Sequence, residues 1–313
     1  MTPLRIGLVG AGPWAGLSTG PMIAAGAATE LSAVYARRQD AAASIAARHG
    51  GVVARTFDDL LASCDAVAFA VPPDVQSDLA PRAAAAGRHL LLEKPLAGSV
   101  AAAEAVAAAA AEAGVVTQMV LTNRYTQPVR DFLRQLSEEV VRGVSAQLIS
   151  GAALTGSPFA TPWRDRNSAL LDVGPHVLDL LDAIAGPICA VSAVRDPSGC
   201  LALTCRHSGG AISTALLSST TPGTRGPLRC EVLTDRGLLV LPDPSSHPRA
   251  DLQRTIADEF AAAVANRSPH ALDVVHGLRL QRLLDAVERS AASGAPVALD
   301  TASPQHPVVE GDR

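Results

Sequence analysis

The 313-residue chain is short of several things, and each shortage narrows what it can be. It has a single lysine, Lys94, among 26 basic residues, and aromatics make up only 3%. The formal net charge is -4, so there is no basic surplus to neutralise phosphates, which argues against a sequence-independent nucleic-acid binder. The five cysteines, Cys64, Cys189, Cys200, Cys205 and Cys230, are odd in number and scattered, with no CxxC pair. That suggests neither a zinc framework nor a disulfide scaffold, and it fits a reduced, cytoplasmic chain. No apolar run reaches the ~18 residues of a membrane span. The opening MTPLRIGLVGAG turns to glycine too soon to read as a signal peptide.

What is present suits a folded chain of two domains, or one large domain. Hydrophobic residues make up 48% and charged residues 18%, enough apolar material for a sizeable core and too little charge for a disordered chain. The Ala-, Arg- and Gly-rich background reads as a genome that replaces lysine by arginine wherever either serves. The lysine that remains marks a position needing a compact ammonium whose pKa burial can lower.

The first 120 residues alternate strand and helix patterns. Strands are expected at Leu4–Val9, Leu31–Ala36, Val52–Ala54, Asp65–Val71, His89–Leu92 and Val115–Val120. Helices are expected over Pro13–Gly26, Asp40–His49, from Thr56-x-x-Asp59 onward, and over Asp74–Gly87 and Ser99–Ala113. Continuous apolar strands in βα units imply a parallel sheet covered by helices. From residue 122 the pattern changes. Helices are expected over Pro128–Val141, Leu171–Ala185, Leu252–Ala265 and Val275–Ala292. Strands are expected at Gly143–Ala153, Ile188–Val194, Cys200–Arg206, Ala211–Leu217, Arg229–Thr234 and Gly237–Leu241, with a turn at Asp235-Arg236-Gly237. The expected organisation is an α/β fold: a dinucleotide-binding domain at 1–121, an α/β domain with an antiparallel or mixed sheet at 122–300, and a flexible tail at 301–313.

Three motifs carry chemistry. Gly10-x-Gly12-x-x-Ala15 follows a strand and opens a helix, the context in which this pattern binds a dinucleotide. Gly10 permits the turn, Gly12 lets the backbone approach a diphosphate, and Ala15 keeps the helix close to the sheet. The diphosphate would sit on the free N–H groups of the helix N-terminus. At the end of the second strand, Tyr35-Ala36-Arg37-Arg38 offers two guanidinium groups and no acid, which favours NADP over NAD. Second, Glu93-Lys94-Pro95 ends a parallel strand, at the sheet edge where ligands bind. Lys94 could donate to a substrate oxygen, and Glu93 could orient Lys94 or contact a ribose. Third, Asp172-x-x-x-His176-x-x-Asp179 has helical spacing on one face. Pro175 requires that the helix either begin near Gly174 or kink. Asp172 is expected beside His176, raising its pKa and fixing its tautomer, with His176 as acid/base.

Together these residues resemble the Gfo/Idh/MocA family of oxidoreductases. The matching stretches are Ile6–Gly12, Val71-Pro-Pro73, Ala86–Leu96, Asn123-Arg-Tyr125, Trp163-Arg164, Leu170–Leu181 and Val275–Ser293. The resemblance implies a Rossmann domain, then an α/β domain with a large open, mainly antiparallel sheet whose outer face forms a homodimer or homotetramer interface. It implies Lys94, His176 and Asp172 as catalytic residues. It places Gly10, Gly12, Pro13, Trp14, Ala15, Val71, Pro72, Glu93 and Lys94 along the cofactor, with Arg37 and Arg38 at its ribose. Asn123, Arg124, Tyr125, Trp163, Arg164, Asp172 and His176 become substrate residues, and no metal site is implied. The implied reaction is reversible hydride transfer between nicotinamide C4 and a carbinol or ketone carbon of a sugar, cyclitol or related compound. Partners would be a small molecule and further copies of the chain, with no nucleic acid and no membrane. Two departures stand out. Gln76 occupies a position where many relatives have histidine, so a contact near the cofactor would differ, and Asn167-Ser168 replaces a glycine-rich lead-in. Two alternatives remain: a hydrolase using tightly held NAD, and a non-catalytic NADP-binding sensor.

Overall fold

A computed structural model describes residues 2–157, 169–223, 226 and 228–300. The expectations placed on Trp163, Arg164, Asn167-Ser168 and the tail from Thr301 lie outside the described residues.

The N-terminal strands are β1 (Leu4–Val9), β2 (Thr29–Tyr35), β3 (Val52–Val53), β4 (Ala66–Phe69), β5 (His89–Leu92) and β6 (Thr117–Met119). They form one sheet in the order β3-β2-β1-β4-β5-β6. Every pairing is parallel. Both faces are covered, so Ile6, Leu8, Val67, Ala68, Leu90 and Leu91 are all buried whichever way they point. The covering helices are α1 (Gly20–Ala25), α2 (Gln39–His49), α3 (Phe57–Ser63), α4 (Pro73–Ala85) and α5 (Val100–Ala113). Their ends follow local chemistry. Thr56 and Asp59 form a capping box at the start of α3. Ser99 caps α5, and Gly114 closes it in the left-handed region. Gly7 is required by packing, because a Cβ there would lie 2.8 Å from Leu60 of α3.

The second sheet contains β7 (Val141–Ile149), β8 (Ile188–Arg195), β9 (Leu201–His207), β10 (Ile212–Ser218), β11 (Arg229–Thr234), β12 (Leu238–Val240) and β13 (Val297–Ala298). Its order is β12-β11-β7-β10-β9-β8-β13. All pairings are antiparallel except β7 with β10. Residues alternate buried and exposed along β9, β10 and β11, so one face packs inward and the other faces out. The inner face meets α7 (Gly174–Ala185) and α9 (Val274–Ser293). α6 (Gln127–Leu136) precedes β7, and α8 (Arg249–Asn266) precedes α9. The expected helix to Val141 therefore ends early: the chain turns after Leu136, and β-branched Val141 opens a strand instead.

The C-terminal helices return to the first sheet. Met119 N donates to Leu272 O at 2.6 Å, Val274 N to Thr117 Oγ1 at 2.9 Å, and Gln118 Nε2 to Ile256 O at 3.0 Å. Among the described residues, no helix is long and apolar enough to cross a membrane.

Candidate active site

Because the first sheet is parallel, the ends of β1, β2, β4 and β5 share one edge. Gly10, Arg37, Val71 and Glu93 follow those ends. β1 and β4 are neighbours, with β2 and β5 on opposite sides, so the strand order reverses here and leaves a crevice.

The glycine turn divides its work. Gly10 has φ +113°, and a Cβ there would lie 2.3 Å from Ala70 O, so only glycine fits. Gly12 has nothing within 4 Å of the same construction, so its backbone borders open space. The chain is helical from Pro13, with Ala15 fully buried. The turn Ala15–Thr19 is wound as a π-helix, in which Gly20 N donates to Ala15 O. Pro21 supplies the reason: it has no N–H for the Leu17 carbonyl. Gln253 Nε2 reaches that carbonyl at 3.4 Å and Ser18 O at 3.3 Å.

The Glu93-Lys94-Pro95 loop is tied down on three sides. Trp14 Nε1 donates to Glu93 Oε1 at 2.5 Å, joining the loop to the glycine turn. Lys94 Nζ donates to Asp172 O at 2.5 Å and Asp172 Oδ1 at 3.1 Å. This pair is nearly dry, with side-chain exposures of 11% and 10%. Gln76, in the first turn of α4, is fully buried against the loop. Its amide donates to Glu93 O and Leu96 O, each at 2.9 Å, and to Pro95 O at 3.4 Å. Its Oε1 accepts from Glu93 N at 2.8 Å. The Lys94–Pro95 peptide is cis.

Asp172 belongs to a second π-helical turn, Ala169–Val173, and α7 starts at Gly174 with Pro175 in its first turn. Of the two options left by Pro175, the helix start near Gly174 is the one observed. His176 follows in α7, and its buried Nδ1 has no hydrogen-bond partner among the described residues. The expected rise in the His176 pKa is corrected. Although His176 keeps some accessible surface, desolvation and the Lys94 ammonium push it down to about 3, outweighing Asp172 and Asp179. Asp172 holds Lys94, and the imidazole is neutral at pH 7.

Asp179 is almost fully buried. It accepts from Arg124 Nη1 at 2.8 Å and bonds His276 Nε2 at 2.7 Å. Burial works to raise its pKa, but Arg124 and His276 hold the carboxyl below its usual range. His276 was missed from the sequence because 97 residues separate it from Asp179. Arg124, expected at the substrate, is thus engaged by Asp179. Asn123 is half-buried, and its carbonyl accepts from Thr126. Tyr125 is corrected as a substrate contact. It is 1% exposed, and its hydroxyl donates to Met119 O at 2.7 Å. Arg37 and Arg38 are exposed at the end of β2, and their guanidinium groups have no ion pair among the described residues.

Residues 4–121 match the model of an oxidoreductase family described as having an NAD-binding Rossmann fold, GFO_IDH_MocA. The match to that family covers the N-terminal, parallel-sheet part of the chain. A relative is the dTDP-3,4-didehydro-2,6-dideoxy-alpha-D-glucose 3-reductase of Actinomadura kijaniata, 30% identical over 186 residues. That match covers 56% of this chain and 54% of the reductase, so it spans about half of the relative. An oxidoreductase domain protein from Kribbella flavida has a similar structure, with TM-score 0.84 at 24% identity. It aligns over 96% of this chain and 100% of its own. Levoglucosan dehydrogenase, solved with NADH and levoglucosan, has TM-score 0.83 at 19% identity over 95% and 99% of the two chains. The fold of both sheets, and not only the parallel one, is thus shared with solved structures.

Proposed function

We propose that this chain is an NADP-dependent oxidoreductase. It transfers hydride reversibly between nicotinamide C4 and a carbinol or ketone carbon of a sugar, cyclitol or related small carbonyl compound. One observation carries the reading: Lys94 Nζ bonds Asp172 at the crevice edge of the Rossmann sheet, with His176 in the first turn of the helix that follows Asp172. The residues present fit a dinucleotide. Gly12 borders open space in front of a helix N-terminus, and Arg37 and Arg38 follow the end of β2 on the same sheet edge, with no acid at residues 35–38. Gly10, Pro13, Trp14, Ala15, Val71, Pro72 and Glu93 would frame the rest. When bound, the nicotinamide supplies the hydride chemistry.

The chain's own residues handle the proton and the charge. In the oxidation direction, the neutral imidazole of His176 accepts the hydroxyl proton. The Lys94 ammonium steadies the oxygen as it becomes a carbonyl, and Asp172 keeps Lys94 aimed. In reduction, the neutral imidazole of His176 relays a proton from solvent to the new hydroxyl. The sugar-like substrate class is in keeping with the relative that is a dTDP-3,4-didehydro-2,6-dideoxy-alpha-D-glucose 3-reductase and with the levoglucosan dehydrogenase of similar structure. We also propose a homodimer or homotetramer through the second sheet, whose outer face exposes Val194, Ile212, Leu238 and Val240. Five free cysteines are in keeping with a cytoplasmic location.

Isothermal titration with NADPH and NADH, repeated on Arg37→Asp, tests the cofactor reading. NADPH is expected to bind more tightly, with the preference lost in the variant. Equal or tighter NADH binding would overturn the arginine argument.

A further inference from the structure

We propose that Gln76 is a positioning residue for Lys94. It acts as a clamp that sets the backbone on both sides of the lysine. The proposal rests on the reading of Lys94 as the lysine of the site. Gln76 itself faces the loop backbone.

The stoichiometry is the argument. A primary amide has two N–H donors and one carbonyl acceptor. All are used by one loop: the donors on the carbonyls of Glu93, Pro95 and Leu96, the acceptor on the N–H of Glu93. Glu93 is held at both its N–H and its carbonyl, so the peptide that leads into Lys94 has little freedom to turn. The carbonyls of Pro95 and Leu96 hold the far side. Gln76 is fully buried, so water cannot replace these bonds if the side chain is removed. The clamp itself is anchored. It sits in the first turn of α4, and Gln76 N donates to Pro72 O at 3.0 Å. Asp74 of the same turn lies against Gly98 at the loop's end, where a Cβ would come within 2.1 Å of its carboxylate. Histidine at position 76 would offer one donor and one acceptor, enough for part of this set. Leucine would offer none.

The consequence is at the ammonium. Lys94 Nζ must reach both the carbonyl and the carboxylate of Asp172 from across the crevice. A loop free to rotate at Glu93 or Pro95 would release that contact without any change in Lys94 itself.

Lys94 is the chain's only lysine, so its side chain can be followed without assigning a substrate. The experiment is competitive trace acetylation of the full chain with acetic anhydride, an added free amine serving as internal standard. The rate at Lys94 is read by peptide mapping. It compares wild type, Gln76→Leu, Gln76→His and, as a control, Gln118→Leu. Gln118 is equally buried but donates to Ile256 O, away from the loop. The Lys94 rate is expected to rise about tenfold in Gln76→Leu, the scale of one to two lost buried hydrogen bonds. Gln76→His should fall between, and Gln118→Leu should match wild type. Should Gln76→Leu fail to fold, the Gln76→His rate decides. Folded Gln76 variants with the wild-type rate would overturn the proposal. So would a Gln118→Leu rise equal to that of Gln76→Leu, which would mean a loosened core. The readout needs neither cofactor nor turnover. If the protein bound no dinucleotide, the functional reading would fall while the acetylation result still judged the clamp.

Discussion

The two sheets solve the same burial problem in opposite ways. In the first, both faces are covered, and strands such as Ala66–Phe69 are buried at every position. In the second, Leu201–His207 alternates strictly, and the outer face keeps Thr204 and Arg206 exposed. The first sheet is therefore a framework whose strand ends can be held still. The second is half a framework and half a surface. The site joins them: Lys94 comes from a strand end of the first, Asp172 from the π-helical turn that leads into α7, and His176 from α7, which packs on the second.

The sharpest way to break this comparison is to cut the join. Asp172→Asn leaves the Lys94 ammonium nearly buried without its charge partner, and it should cost about 3–5 kcal/mol in denaturant unfolding. Adding Lys94→Met to it should recover much of that loss, so the double variant separates a lost partner from a lost ion pair.

Leu91→Ala should cost about 2–5 kcal/mol, because Leu91 is 1% exposed in a strand covered on both faces. Leu216→Ala, on the outer face of the second sheet and 37% exposed, should stay within about 0.5 kcal/mol in the monomer. Similar losses at the two positions would show that the second sheet's outer face is buried in an assembly, which gel filtration would then reveal.

His176 gives a pH signature. Its folded pKa of about 3 lies below its unfolded value of 6.5, so below pH 6.5 the unfolded chain binds the extra proton. Stability should therefore fall by about 1.4 kcal/mol per pH unit from this residue as pH drops from 6.5 toward 3. His176→Gln should remove that share of the slope. Lys94→Met should raise the His176 pKa, readable by NMR of the imidazole. The helix cap gives a modest effect: Thr56→Ala should cost about 1 kcal/mol.

The legibility of the sequence follows the same division. Strands Leu4–Val9 and His89–Leu92 have the expected bounds, because continuous apolar runs between glycine, proline and charge have few other solutions. The places of the glycine turn and the Glu93-Lys94-Pro95 loop, just after β1 and β5, were equally plain, since each motif is local in sequence. What escaped was set by contacts distant in the chain. Gln76 read as a departure near the cofactor, and only its fold around residues 93 to 96 shows what the amide does. Tyr125 read as a pocket aromatic, yet it turns inward to Met119 O. The two π-helical turns escaped for another reason. Each precedes a Gly-Pro pair, Gly20-Pro21 and Gly174-Pro175, which signals a helix start but not a wider turn before it.

The most direct test of the account is deuteride transfer from NADPH deuterated at C4, run against a panel of keto sugars with wild type, Lys94→Met and His176→Asn. The account predicts label on the new carbinol carbon with wild type and at least a hundredfold slower transfer in each variant. Label transferred at the wild-type rate by both variants would contradict it.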